Sequence, residues 1–110
     1  MQNTSQTLEP VYSAYGYDPD LADSVVAFAN DLSSRVENLR AYIGCDDIQN
    51  LRRATQQLRL SAAGHGFDQL VPCMQRLESL IRCAASGDEL ELAFQEVVET
   101  CDRVRPGGPG

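Results

Sequence analysis

The imidazole and thiol side chains of this sequence, those most readily used as nucleophile, general base or soft metal ligand near neutral pH, are one histidine, His65, and four cysteines, Cys45, Cys73, Cys83 and Cys101. An imidazole takes up a proton or a phosphoryl group near neutral pH, and thiolates with imidazoles build zinc sites. The spacings favour neither use. No Cys-x-x-Cys pair occurs and His65 has no second histidine beside it, so neither a zinc cluster nor a redox dithiol is indicated. No phosphate-binding glycine loop or catalytic triad signature is present. The expectation is therefore no metal, no cofactor, no catalytic residue and no enzyme activity. Cys73 and Cys101 fall on apolar stripes, which reads as buried reduced thiols.

Charge is the other chemistry on offer. The chain carries 9 basic and 16 acidic residues, a formal net charge of -7, which argues against a nucleic-acid backbone as partner. Every cation is an arginine, a planar fork suited to carboxylate or phosphate oxygens. The distribution is uneven. Between Ile48 and Phe67 there is no acid, while Arg52, Arg53 and Arg59 are present, so an acidic protein has one locally basic segment.

These residues must be positioned by a chain of 110 residues and 12.1 kDa, enough for one compact domain. Its apolar runs fall far short of the ~20 residues a bilayer-spanning helix requires, and the first residues carry no basic and apolar export signal. A cytoplasmic protein without membrane contact is expected. Four segments show helical periodicity. The first opens at Tyr17-Asp18-Pro19-Asp20, with Asp18 as N-cap and proline at the first helical position. It runs through Leu21, Val25, Phe28, Leu32, Val36, Leu39 and Ile43 to Gly44. The second, capped by Asp46 or Asp47, presents Ile48, Leu51, Ala54 or Thr55, Leu58 and Ala62 and ends at Gly64 and Gly66. The third starts near Phe67 or Asp68, with Pro72 in its first turn, and carries Leu70, Cys73, Leu77, Leu80 or Ile81, and Ala84. The fourth follows the Ser86-Gly87-Asp88 turn with Leu90, Phe94, Val97, Cys101 and Val104. No segment alternates with period two, so strands are not expected.

Helices of about 16 to 25 residues on short turns bury their apolar faces most economically as an antiparallel up-down four-helix bundle. The expected organisation is an all-α bundle over residues 18–104. An N-terminal segment, residues 1–17, packs on it or frays from it and holds Tyr12, Tyr15 and Tyr17. Residues 105–110 form a disordered Pro/Gly tail.

The stretch Gln56-Gln57-Leu58-Arg59-Leu60-Ser61-Ala62-Ala63-Gly64-His65-Gly66-Phe67 resembles the signature of histidine-containing phosphotransfer (HPt) domains, in which His-x-Leu-Lys-Gly is followed by small residues and a glycine. Leu58 matches the leucine, Arg59 stands for the lysine, Ser61, Ala62 and Ala63 fit the small positions, and Gly66 fits the closing glycine. Tyr17-Asp18-Pro19-Asp20-Leu21 and Leu77-Glu78 look like further family features in the first and third helices. The resemblance implies a phosphorelay module, but a degenerate one. Gln56 occupies the place of the phospho-accepting histidine, and a carboxamide nitrogen, its lone pair delocalised, is neither nucleophile nor useful base. Leu60 stands one turn on, where the family has a glycine that leaves room for an incoming partner.

The resemblance therefore implies a pseudo-HPt signalling module that binds a response-regulator receiver domain or a histidine kinase without accepting phosphate. Its contact face would comprise Arg52, Arg53, Arg59, Leu60 and Ala63 around the degenerate phosphosite Gln56. A monomer rather than a dimer is expected. Two alternatives stand beside it. One is an active phosphotransfer protein using His65, which lies half a helical turn round from Gln56 and also fits as a helix-end histidine bonded to a carbonyl. The other is a self-associating bundle with no signalling role.

Overall fold

The computed structural model describes residues 9–15 and 18–106; Gly16, Tyr17, the first eight residues and the last four lie outside the described range. The described chain is all-helical: α1 (Ala22–Gly44), α2 (Ile48–Gly64), α3 (Val71–Arg82) and α4 (Gly87–Asp102), with a 3-10 turn at Asp68–Leu70 leading into α3. No strand occurs among the described residues beyond an isolated parallel bridge between Val11 and Val104. No described helix is long and apolar enough to cross a membrane.

The apolar stripes become one core. Val25, Phe28, Leu32, Val36 and Leu39 of α1 meet Leu51, Leu58 and Ala62 of α2, Cys73, Met74, Leu77 and Ile81 of α3, and Leu90, Ala93, Phe94 and Val97 of α4. Of the pair Ala54 and Thr55 it is Thr55 that is fully buried, its hydroxyl donating to Leu51 O at 2.7 Å so that no polar group is stranded. Successive helices pack on one another, and α4 closes back on α1.

Local chemistry moves several element ends. The first helix begins at Ala22 rather than Pro19, because Asp18 closes a turn of its own. Its Oδ1 accepts the Asp20 N–H at 2.9 Å and its carbonyl accepts that of Leu21 at 3.0 Å. Leu21 therefore becomes the N-cap and is exposed rather than part of the stripe. Asp47 caps α2, accepting the Asn50 N–H at 3.3 Å. The third helix is shorter than the 16 residues expected, at 12, because the chain first makes the 3-10 turn and places Pro72 at the start of the α-helix proper. Ser86 and Glu89 cap α4 reciprocally, each side chain bonding the other residue's N–H.

Helices α1, α2 and α3 all end in the same way. In each, the residue two places past the helix takes a positive φ: Asp46 at 59°, Gly66 at 80° and Ala84 at 55°. The next N–H reaches back five residues, from Asp47 to Tyr42 O (2.8 Å), Phe67 to Ala62 O (2.9 Å) and Ala85 to Leu80 O (3.0 Å), which is the Schellman arrangement. Gly44 is an ordinary helical residue; the left-handed position after α1 falls to Asp46.

Residues 9–15 form a strap. Val11, wholly buried, takes its N–H to Arg103 O at 2.7 Å and receives the Arg105 N–H at 2.9 Å, beyond the end of α4. The Ala14 N–H bonds Gly66 O at 2.8 Å, and the Ser13 hydroxyl donates to His65 O, beyond the end of α2. The strap thus ties together the C-terminal ends of α2 and α4. Two expectations change here. Arg105 belongs to this pairing rather than to a loose tail, and Val11 supplies a wholly buried apolar contact, with Tyr12 half-buried, Tyr15 exposed and Tyr17 outside the described residues.

Candidate partner-binding face

Helix α2 buries Leu51, Thr55, Leu58 and Ala62, a repeat of four, three and four residues, so the residues between them must face away from the core. Gln56 is exposed, and so are Arg52, Arg53 and Ala63. Leu60 projects further still, at 54% exposed. A carboxamide, two guanidinium groups and one apolar side chain thus lie along the outer surface of one rigid helix. Arg53 makes only a long contact, 3.5 Å to Asn50 Oδ1, and Arg52 joins no ion pair among the described residues.

Arg59 departs from the outward pattern. It follows Leu58 by about 100° around the axis, which puts it on the flank where α3 packs. Its Nε forms an ion pair with Glu78 of α3, both side chains largely covered. The charge of Arg59 is therefore matched within the molecule, and the pair joins α2 to α3 beside a groove of about 380 Å³ lined by Arg59, Gln75, Glu78, Ser79 and Arg82. Removing either partner would leave the other charge half-buried and unmatched. Sequence periodicity does not reveal this pairing, because the two residues are 19 apart and meet only through tertiary packing.

His65 belongs to another surface. It is the residue just past α2, where its Nδ1 lies 2.7 Å from Ser61 O and its ring stacks on Phe28 with centroids 4.9 Å apart. A carbonyl only accepts, so Nδ1 is the donor in this contact. With Ser24, Asp31, Arg35 and Ser61 it lines a recess of about 330 Å³ between α1 and α2. The fold does not bring this imidazole to Gln56 or to the exposed Arg52 and Arg53.

The cysteines supply no site on this face. Burial pushes the Cys73 thiol up, and the Cys101 thiol up to about 12. Cys45 and Cys83 are exposed, and all four are free thiols. No group of three or more His, Cys, Asp or Glu able to hold a metal occurs among the described residues. What this face can do chemically is bind: it offers donors and one apolar contact, without a nucleophile at its centre. No protein-family model, no curated protein and no solved structure matches the chain.

Proposed function

We propose that this chain is a pseudo-phosphotransfer module: an HPt-like bundle whose outer α2 face docks on a receiver domain or a histidine kinase and takes no phosphate. The observation that carries the reading is Gln56, exposed at the centre of a basic face, with Arg52 and Arg53 on one side and Leu60 on the other. The reading takes an up-down helix order. Its support is that the strap joins the C-terminal ends of α2 and α4 while their N-terminal residues Ile48 and Gly87 line a common cleft, as helices running the same way would. Connections of three and four residues leave α1 and α3 to run against them. The Arg59–Glu78 pair joins the two stretches that carry the resemblance, Gln56–Phe67 and Leu77-Glu78.

On this reading the protein competes for the surface that a true relay protein would use. The arginines complement an acidic pocket on the partner and set encounter rate and orientation, and Leu60 fills the space a glycine would have left. Such an activity belongs in the cytoplasm, where receivers and kinases meet.

Two experiments test this. Binding to the receiver domains of the source organism should fall at least tenfold in Leu60→Asp and in the double variant Arg52→Glu/Arg53→Glu; unchanged binding to all of them would refute the face. Restoring Gln56→His with Leu60→Gly should give acid-labile phosphorylation from a charged receiver, at a cost of about 1 kcal/mol in helix stability for the glycine. A folded double variant that never takes phosphate would count against the alignment. The unaltered chain gaining one phosphoryl group, lost in His65→Ala, would replace this reading with the active one.

A further inference from the structure

At the end of the bundle away from the strap, the α1–α2 and α3–α4 turns leave a cleft of about 250 Å³. Its apolar lining is Ile48, Leu80, Ile81, Ala84 and Leu90. That volume exceeds the ~150 Å³ of an apolar cavity that holds a benzene ring. Ile48 sits on the apolar stripe of α2 and is nevertheless 39% exposed at this opening.

The two turns that frame the cleft are acidic. Asp46 and Asp47 stand in one, Asp88 and Glu89 at the start of α4 in the other, and no ion pair among the described residues uses any of them. Asp47 and Glu89 serve as helix caps, whereas the carboxylates of Asp46 and Asp88 meet no donor among the described residues. Of the cations nearest in sequence, Arg52 joins no ion pair among the described residues, and Arg82 bonds Ser79 Oγ at 3.3 Å and lines the α2–α3 groove instead. Both left-handed residues without a glycine, Asp46 and Ala84, line this same cleft. Glycine is the residue that favours such a backbone; at Ala84 it would remove a methyl from the cleft wall.

We propose that this cleft docks a cationic segment of a partner protein, which inserts one branched aliphatic side chain between flanking lysines or arginines. The apolar floor takes the aliphatic group, and the acidic rim complements the flanking charges. The proposal does not rest on the proposed function: Ile48 lies one turn before Arg52 on α2, but the cleft it lines is built with α3 and α4 residues and needs no receiver domain.

Fluorescence polarisation with the full chain tests it, using a labelled Arg-Arg-Ile-Arg-Arg peptide as probe. Saturable one-to-one binding is expected, weakened about tenfold or more when the probe isoleucine becomes serine. A similar loss is expected from Ile48→Ser in the protein. Asp46→Asn with Asp88→Asn should also weaken binding several-fold, asparagine being tolerated at the left-handed position. Asp20→Asn with Asp23→Asn makes the same change in net charge around the start of α1 and should leave it unaltered. Equal binding of the serine probe, or equal losses from both charge pairs, would reduce the effect to bulk attraction and overturn the proposal. Concentration-dependent sedimentation of the chain alone, abolished by Ile48→Ser and by Leu60→Asp, would overturn it in favour of a second copy as the occupant.

Discussion

The two ends of this bundle solve the same problem with different residues. Where α2 ends, the left-handed position is Gly66, and the strap lies so close that a Cβ there would stand 2.7 Å from Ser13 Oγ and 2.9 Å from Tyr15 Cδ2. Where α1 and α3 end, the same backbone shape falls to Asp46 and Ala84, whose side chains make that shape strained. The strapped end is held by backbone bonds between segments distant in sequence and has its apolar contact buried in Val11. The other end has no strap among the described residues and keeps an apolar cleft open. Strain is thus stored at the end that is open, and the glycine is placed where another chain segment comes closest.

The largest effect expected from breaking this contrast is Gly66→Ala. A left-handed alanine costs about 1–2 kcal/mol, and forcing the strap aside adds about 1–3, so a loss of about 3 kcal/mol in denaturant unfolding is expected. Protection of the Val11 and Ala14 amides from hydrogen exchange should fall with it. A loss below about 1 kcal/mol would mean that the strap contributes little to this end.

Thiol chemistry distinguishes the ends next. Cys45 and Cys83 stand in the turns of the open end, whereas Cys73 in the first turn of α3 and Cys101 in the last turn of α4 belong to the strapped one. At pH 8 a maleimide should label two cysteines per chain at least ~100-fold faster than the others, a difference of about 2.7 kcal/mol in opening. Burial raises the Cys101 thiol from its ordinary 9.0 to about 12 and raises Cys73 in the same direction. The folded state therefore favours the neutral thiol. This contribution to stability is complete below pH 9 and is lost as the pH rises towards 12. Unfolding midpoints that hold constant from pH 9 to 11 in wild type, or that fall equally in Cys101→Ser, would contradict it.

How much of this was legible in the sequence depended on periodicity. The four apolar stripes repeat every three or four residues, and the all-helical fold and most of the core follow from them. Met74 and Ala93 lie beside Cys73 and Phe94 on the buried flanks, and a one-dimensional stripe passes over such flanking positions. The strap has no period: Val11 is one apolar residue among polar ones, and only the closed structure gives its backbone groups partners. The Ser86-x-x-Glu89 capping box is a signal present in the sequence, where Ser86-Gly87-Asp88 reads first as a turn. The Schellman ends at Asp46 and Ala84 are hidden because the usual sign of that geometry is glycine. On the candidate face, the exposure of Arg52, Arg53, Gln56 and Leu60 follows from the α2 repeat alone. The withdrawal of Arg59 to Glu78 depends on where α3 lies and has no local sign.

The smallest effects sharpen the comparison at the open end. Ala84→Gly removes a strained side chain and should raise stability by about 1 kcal/mol, because the gain in the folded state outweighs the freedom glycine adds to the unfolded chain. Asp46→Gly should gain only a few tenths, since aspartate tolerates the left-handed region better than alanine does. The Ala84→Gly gain, read as a rise in the denaturant midpoint at constant slope, should come with weaker binding of the isoleucine probe, because the methyl leaves the cleft wall. Stability rising while probe binding holds would show that Ala84 is a tolerated accident of the turn, and the asymmetry between the two ends would then concern folding alone.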